Sequence, residues 1–156
     1  MINKLLILIP AYNPSKELLT LVQKLTIFNH PVLIINDGSH MDCMPIFNEI
    51  EKHSNSVTIH HHKINKGKGS ALKTGIAICE KDYPNCGGII TADADGQHSP
   101  SDIIKVAKKL IKADQSLILG VRNFIGEIPF RSRFGNIITR KLLSIVHGIK
   151  VLDTQT

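Results

Sequence analysis

Cysteine is scarce in this chain: Cys43, Cys79 and Cys86 are the only three in 156 residues, and none are spaced as Cys-x-x-Cys. An odd number at such spacing argues against a disulfide framework and for a reducing compartment. Neither Cys79 nor Cys86 neighbours an obvious base, so both read as buried thiols rather than catalysts. Long apolar runs are missing as well. No stretch approaches the ~18 residues that a membrane span requires. The run that follows Met1–Lys4 is broken at Pro10 and lacks a secretory cleavage pattern, so the expected location is cytoplasmic. There is no Walker A loop, internal repeat, low-complexity tract or linker, and 156 residues suffice for one domain with a sizeable core. Acidic residues are nearly absent from one region. Between Arg122 and Lys150 stand six cations and a single anion, Glu127, so most of the net +6 lies there. That asymmetry suggests a polyanionic partner: nucleic acid, phosphate groups or an anionic membrane.

What is present alternates between strand and helix signals. Leu5–Ile9, Val32–Ile35, Val57–His61, Gly88–Ala92 and Leu117–Leu119 read as five strands, the first two continuous apolar runs of the kind covered on both faces. Between them, helical spacing recurs in Leu18, Leu19, Val22 and Leu25 behind a Ser15 cap, in Ile46, Phe47 and Ile50, and over Ser70–Glu80. Ser99-Pro100-Ser101-Asp102 is a strong helix start, followed by Ile103, Ile104, Val106, Ala107, Leu110 and Ile111 on one side. Repeated β-α-β units predict an α/β fold, a mostly parallel twisted sheet with helices on both faces.

Polar motifs fall where the strands end. Pro10-Ala11-Tyr12-Asn13-Pro14 follows the first strand, Asn36-Asp37-Gly38-Ser39 the second, and Asp93-Ala94-Asp95-Gly96-Gln97-His98 the fourth. The carboxyl edge of an open α/β sheet is its ligand edge, so the three turns are expected to form one site. Asp93 and Asp95, with the Gln97 amide, offer the oxygens that a hard divalent cation takes alongside phosphate and water. Gly96 suits a turn closed to residues with a Cβ. Asp37 reads equally as an acceptor for a base or ribose and as an Asx-type turn with Gly38. Asn65-Lys66-Gly67-Lys68-Gly69-Ser70 opens a helix, where amides and two lysines suit an anion. Taken alone it is half a dinucleotide fingerprint, with Leu72 in place of the third glycine, and an ordinary helix entry fits it too. His60 and His62 would share a strand face, but without an acidic or Cys neighbour the triplet His60–His62 reads as a polar strand end rather than a zinc site.

In order along the chain, these pieces resemble the family 2 glycosyltransferases, enzymes of the GT-A fold that use nucleotide-sugars. The set is Pro10-Ala-Tyr-Asn13, Asn36-Asp-Gly-Ser39, Asn65–Ala71, Asp93–His98, Gly120-Val-Arg122 and Asp153-Thr-Gln-Thr156. The last three resemble the branch of dolichyl-phosphate mannose synthase and bacterial polyprenyl-phosphate glucosyltransferases. The resemblance implies that Pro10, Tyr12, Asp37, Lys68 and Asp93 serve the nucleotide-sugar. It implies that Asp93, Asp95 and Gln97 serve Mg2+ or Mn2+; as the second carboxylate at the ligand edge of the sheet, Asp95 is expected to be the principal ligand. Arg122, Arg131 and Arg133 would meet an acceptor phosphate. The expected reaction is metal-dependent, inverting transfer from a UDP- or GDP-sugar to a polyprenyl phosphate, with no catalytic base because the acceptor is already an anion.

The expected partners are that donor and a lipid phosphate, with no nucleic acid, at the inner face of a membrane. Residues 135–149 would form an amphipathic helix making peripheral membrane contact, or else an ordinary core-packing helix. Two departures stand out. Pro14 replaces a glutamate frequent in the family, and the Asp153–Thr156 motif continues in relatives with Gly and an acceptor-side region. The expectation is one domain over 1–156, with a nucleotide-sugar half at 1–98 and an incomplete acceptor half at 99–156. Two alternatives are a non-catalytic nucleotide-sugar-binding remnant that needs a partner, and an RNA-binding module in which Phe124, Phe130 and Phe134 interleave with arginines.

Overall fold

The computed structural model of the chain describes residues 4–53, 56–96, 98–112 and 118. Among the described residues four strands form one sheet: β1 (Lys4–Ala11), β2 (Val32–Asn36), β3 (Val57–His61) and β4 (Cys86–Thr91), in the order β3-β2-β1-β4. Every pairing is parallel, with Ile9 opposite Ile34, Ile34 opposite Ile59, and Leu8 opposite Thr91. Between the strands run α1 (Lys16–Thr26), α2 (Met44–His53) and α3 (Lys68–Asp82), and α4 (Pro100–Lys112) follows β4. The α/β class read from the alternating apolar runs is therefore the observed one. Leu117–Leu119 as a strand, Arg122, Arg131 and Arg133, and the helix expected over 135–149 fall outside the described residues, apart from Ile118.

Strand periodicity sorts the apolar side chains onto two faces. From β1, Leu5, Ile7, Ile9 and Ala11 join Val32 and Ile34 of β2 under three helices. These are α1 with Leu18, Leu21, Val22 and Leu25, α2 with Phe47 and Ile50, and α4 with Ile103 and Ala107. The opposite face carries Leu6, Leu8, Leu33 and Ile35 and is covered by α3, which contributes Ala71 and Cys79. Each fully buried Leu, Ile or Phe contributes roughly 1.5–3 kcal/mol relative to exposure. The two central strands carry most of these residues and so hold the sheet together.

Two details differ from the local reading. β1 runs through Pro10 to Ala11, because the fixed φ of proline is compatible with extended backbone near a strand end. The helix α3 begins at Lys68 rather than Ser70, entered from Gly67 at φ 87°, a left-handed conformation. Behind β4, Ser99 caps α4: the Asp102 amide donates to its Oγ at 3.2 Å, and that Oγ lies 2.7 Å from Asp102 Oδ2. Ser15 occupies the corresponding place before α1 but does not cap the backbone; its hydroxyl bonds Glu17 instead. Among the described residues no helix is long and apolar enough to cross a membrane.

Candidate functional site

Because the sheet is parallel, β1, β2 and β4 all end on one edge. Their following turns, with the start of α3, enclose a cleft of about 480 Å³. Pro10, Tyr12, Asn13, Pro14, Asp37, Asn65, Gly67, Lys68, Asp93 and Asp95 are among its lining residues. Six of the residues expected to matter thus share one cavity: Pro10, Tyr12, Asp37, Lys68, Asp93 and Asp95. Gln97, Arg122, Arg131 and Arg133 lie outside the described residues.

Long-range hydrogen bonds hold the turns together. The Asn13 amide donates to Ser39 Oγ at 2.9 Å, and the His40 amide donates to Asn13 Oδ1 at 2.8 Å, which ties the β1 turn to the β2 turn. Asn13 reaches this geometry at φ 47°, in the left-handed region that asparagine tolerates better than most residues. Of the two readings open for Asp37, the turn-forming one is not what its bonds show: the side-chain bond within this turn is made by Asn36, whose Oδ1 accepts from the Ser39 amide at 2.9 Å. Asn36 Nδ2 also donates to His61 Nδ1 at 2.9 Å. Gly38, at φ 68°, lies flat against the 64–65 backbone, and a Cβ there would stand 2.3 Å from the Ile64 carbonyl carbon. Only glycine lets the two turns approach so closely.

Asp37 is 3% exposed and gathers three donors. His62 Nδ1 lies 2.7 Å from Oδ1, the Lys66 amide 3.0 Å from Oδ1, and the Gly67 amide 2.7 Å from Oδ2. Burial alone would raise its pKa, but the hydrogen bonds from His62, Lys66 and Gly67 outweigh it and hold the carboxyl below the usual range. A buried, ionised carboxylate therefore fastens the loop that leads into α3 while lining the cleft. His62, which the triplet pattern left as a polar strand end, is buried itself and reaches Thr74 Oγ1 with Nε2 at 3.0 Å. His60 packs edge-on against it, ring centres 5.7 Å apart. Nothing local in the sequence announces these contacts, because Asp37 lies 25 to 30 residues from the partners it binds.

Across the cleft, Lys68 Nζ donates to Asp93 Oδ1 at 2.7 Å, a half-exposed pair. The Asp93 amide donates to His98 Nδ1 at 3.1 Å, bracing the turn, and Gly96 takes it round at φ 76°. Asp95 is exposed. Among the described residues no group of three or more His, Cys, Asp or Glu side chains is placed to share an ion. Asp93 and Asp95, both lining one cleft, nonetheless fit a Mg2+-like ion, which takes one or two carboxylates and fills its remaining positions with phosphate and water. The pull of Asp93 on a cation is visible in Lys68. Cys79, on the sheet-facing side of α3, is buried, and burial, then the neighbouring Cys86, pushes its thiol up to about 12, which suits an inert core residue.

Comparison with known proteins gives one family. The profile of "Glycosyl transferase family 2" matches residues 6–153. An uncharacterized protein of Methanocaldococcus jannaschii is 31% identical over 158 residues, covering 99% of this chain and 63% of its own length. The UDP-N-acetylglucosamine–dolichyl-phosphate N-acetylglucosaminyltransferase of Methanococcus voltae is 31% identical over 175 residues, covering 100% of this chain and 68% of its own length. A dolichyl-phosphate beta-glucosyltransferase of Trichomonas vaginalis is 26% identical over 168 residues, covering 96% and 50%. The chain thus spans between half and about two thirds of these relatives.

Proposed function

The chain belongs to glycosyl transferase family 2, and from that premise we propose that it binds a nucleotide-sugar in the cleft for transfer of the sugar to a lipid phosphate. The observation that carries this reading is the convergence of Pro10, Tyr12, Asp37, Lys68, Asp93 and Asp95 on one cavity at the carboxyl edge of the sheet. The names of the Methanococcus voltae and Trichomonas vaginalis relatives support a dolichyl-phosphate-type acceptor, and the former makes UDP the first nucleotide to test.

In the proposed roles, Pro10 and Tyr12 form the apolar wall for the nucleotide, and Asp37 offers its carboxylate from the cleft floor. Lys68 turns from Asp93 to the donor's diphosphate. The acceptor phosphate oxygen attacks the anomeric carbon from the face opposite the diphosphate. The new C–O bond forms as the old one breaks, the electron pair leaves with the nucleoside diphosphate, and the sugar inverts. An anionic acceptor requires no general base; it requires cations that let two anions meet, a role proposed for Arg122, Arg131 and Arg133. Family members generally use a divalent metal. Asp93 and Asp95, with Gln97, would hold it, and it would supply Lewis-acid stabilisation of the leaving diphosphate. Mg2+ and Mn2+ both suit that donor set. The proposed setting is the inner face of a membrane.

Calorimetric titration with UDP- and GDP-sugars, with and without Mg2+ or Mn2+, tests the reading. Binding that needs metal, and that weakens in Asp95→Asn while the melting temperature holds, is the expected result. Asp95 is exposed, so that substitution leaves the core untouched. Equal affinity in parent and variant with metal present would remove Asp95 from the metal site.

A further inference from the structure

Three features that the expected roles leave unused invite attention: the cavity of about 230 Å³ between α1 and the 96–100 turn, the exposed Ile27 and Phe28 after α1, and buried His62 behind Asp37. Only the third has geometry that says what it does. His62 stands one residue past β3, buried, with both ring nitrogens engaged. An ionised carboxylate can only accept, so His62 Nδ1 carries the hydrogen on its bond to Asp37 and Nε2 faces the Thr74 hydroxyl. Thr74 belongs to the second turn of α3, and Asp37 in turn accepts the Lys66 and Gly67 amides directly before α3. The contacts close a ring: α3 to His62, His62 to Asp37, Asp37 to the loop, and the loop back to the first residue of α3, Lys68.

We propose that His62 is a positioning residue for the donor site, fixing the Asp37 carboxylate and, through the 66–67 amides, the placement of Lys68 at the cleft. The proposal rests on the donor-site reading above. It makes the ring's orientation the active element. The imidazole spans the floor of the site between β2 and α3, so the Asp37 carboxylate meets the loop amides at one fixed angle. A side chain that only filled the volume would leave the carboxylate held by the two loop amides alone, without the third donor that ties it to β3 and α3.

The test separates the two nitrogens. His62→Asn keeps an amide N–H near the place of Nδ1, facing Asp37, and gives up the Thr74 contact. His62→Gln reaches toward Thr74 and gives up the donor to Asp37. Two quantities are read in each variant: affinity for the nucleotide that the parent binds, by calorimetry, and exchange protection of the Lys66 and Gly67 amides, by NMR without ligand. His62→Gln is expected to lose about 10- to 100-fold in affinity, the range that follows from losing a hydrogen bond to a charged group, and to lose the protection. His62→Asn is expected to stay near the parent in both. Parent-like behaviour of His62→Gln, or equal losses in both variants, overturns the proposal. Should His62→Gln fail to fold, His62→Asn decides alone: retained affinity and protection support the role, and loss of either refutes it. A parent that binds no nucleotide, while amide protection still follows the Asp37 donor, sinks the donor-site reading and leaves the loop-fixing role standing.

Discussion

Asp37 holds its charge inside the protein only because three donors meet it there. Its pKa in the folded chain is lowered, so its contribution to stability is fully present above the unfolded value, about 3.9, and is lost as pH falls through the lower folded value. Thermal melts taken downward from neutral pH should show an acid limb that is flatter in Asp37→Asn than in the parent. The variant should also be less stable at neutral pH, since one bond to a charged acceptor is worth roughly 1.5–3 kcal/mol. Identical acid limbs would assign the limb to other groups. Glu17 and Asp102 are also lowered, by bonds from Ser15 and from Lys105 and Ser99, but both are exposed and their effect is screened by solvent. At this scale the sequence was legible for the placement of side chains that follow a strand end directly, such as Asp93 and Asp95 on the cleft. It was not legible for Asn13, Asn36 and His62. Their roles exist only through partners that the fold brings from far along the chain, and a histidine triplet looks the same whether one ring is buried or none.

Among the elements, α3 is the helix that covers one whole face of the sheet in the described residues, and it lies very close to β1. A Cβ at Gly75 would stand 2.2 Å from Leu8 Cδ1. Gly75→Ala should therefore cost about 1–3 kcal/mol by overpacking, despite the better helix propensity of alanine. With Leu8→Ala added, the combined loss should be smaller than the sum of the two single losses, because the two sites share one contact. Urea unfolding of the single and double variants measures both, and strictly additive losses would show that the close approach is not the cause. The four described strands and α1, α2 and α4 were readable from apolar runs and helical spacing. The start of α3 was not: glycines at 67 and 69 hide a helix whose first turn is held by Asp37 through the loop rather than by its own cap. Ile111, assigned to the apolar side of α4, is about half exposed. It stands in the last turn of that helix, where spacing along the sequence no longer says what covers a side chain.

For the whole molecule, charge is the property that the described core does not use. The net +5 between Arg122 and Lys150 accounts for nearly all of the chain's +6. If that segment meets a membrane carrying the proposed acceptor, binding should gain about 1 kcal/mol per basic residue near an anionic surface and fade with salt. Co-sedimentation at low salt should favour anionic over neutral vesicles, and no difference between them would reject the membrane role. Fold class and the edge that carries the cleft were readable because parallel β-α-β connectivity leaves few arrangements. Which residues meet across that edge depends on register, which only the three-dimensional pairing supplies.

The strand order also sets a timetable. The β1 wall of the cleft and the Asp93–Asp95 turn are joined through pairing of Leu8 with Thr91, residues some eighty positions apart. During synthesis β1, β2 and β3 emerge early, yet one side of β1 has to wait for β4. Contacts of such long sequence separation form slowly. The part of the pocket that joins β1 to the Asp93–Asp95 turn therefore cannot be complete before β4 has been made, so the proposed nucleotide would meet a β1–β4 pair that is already assembled.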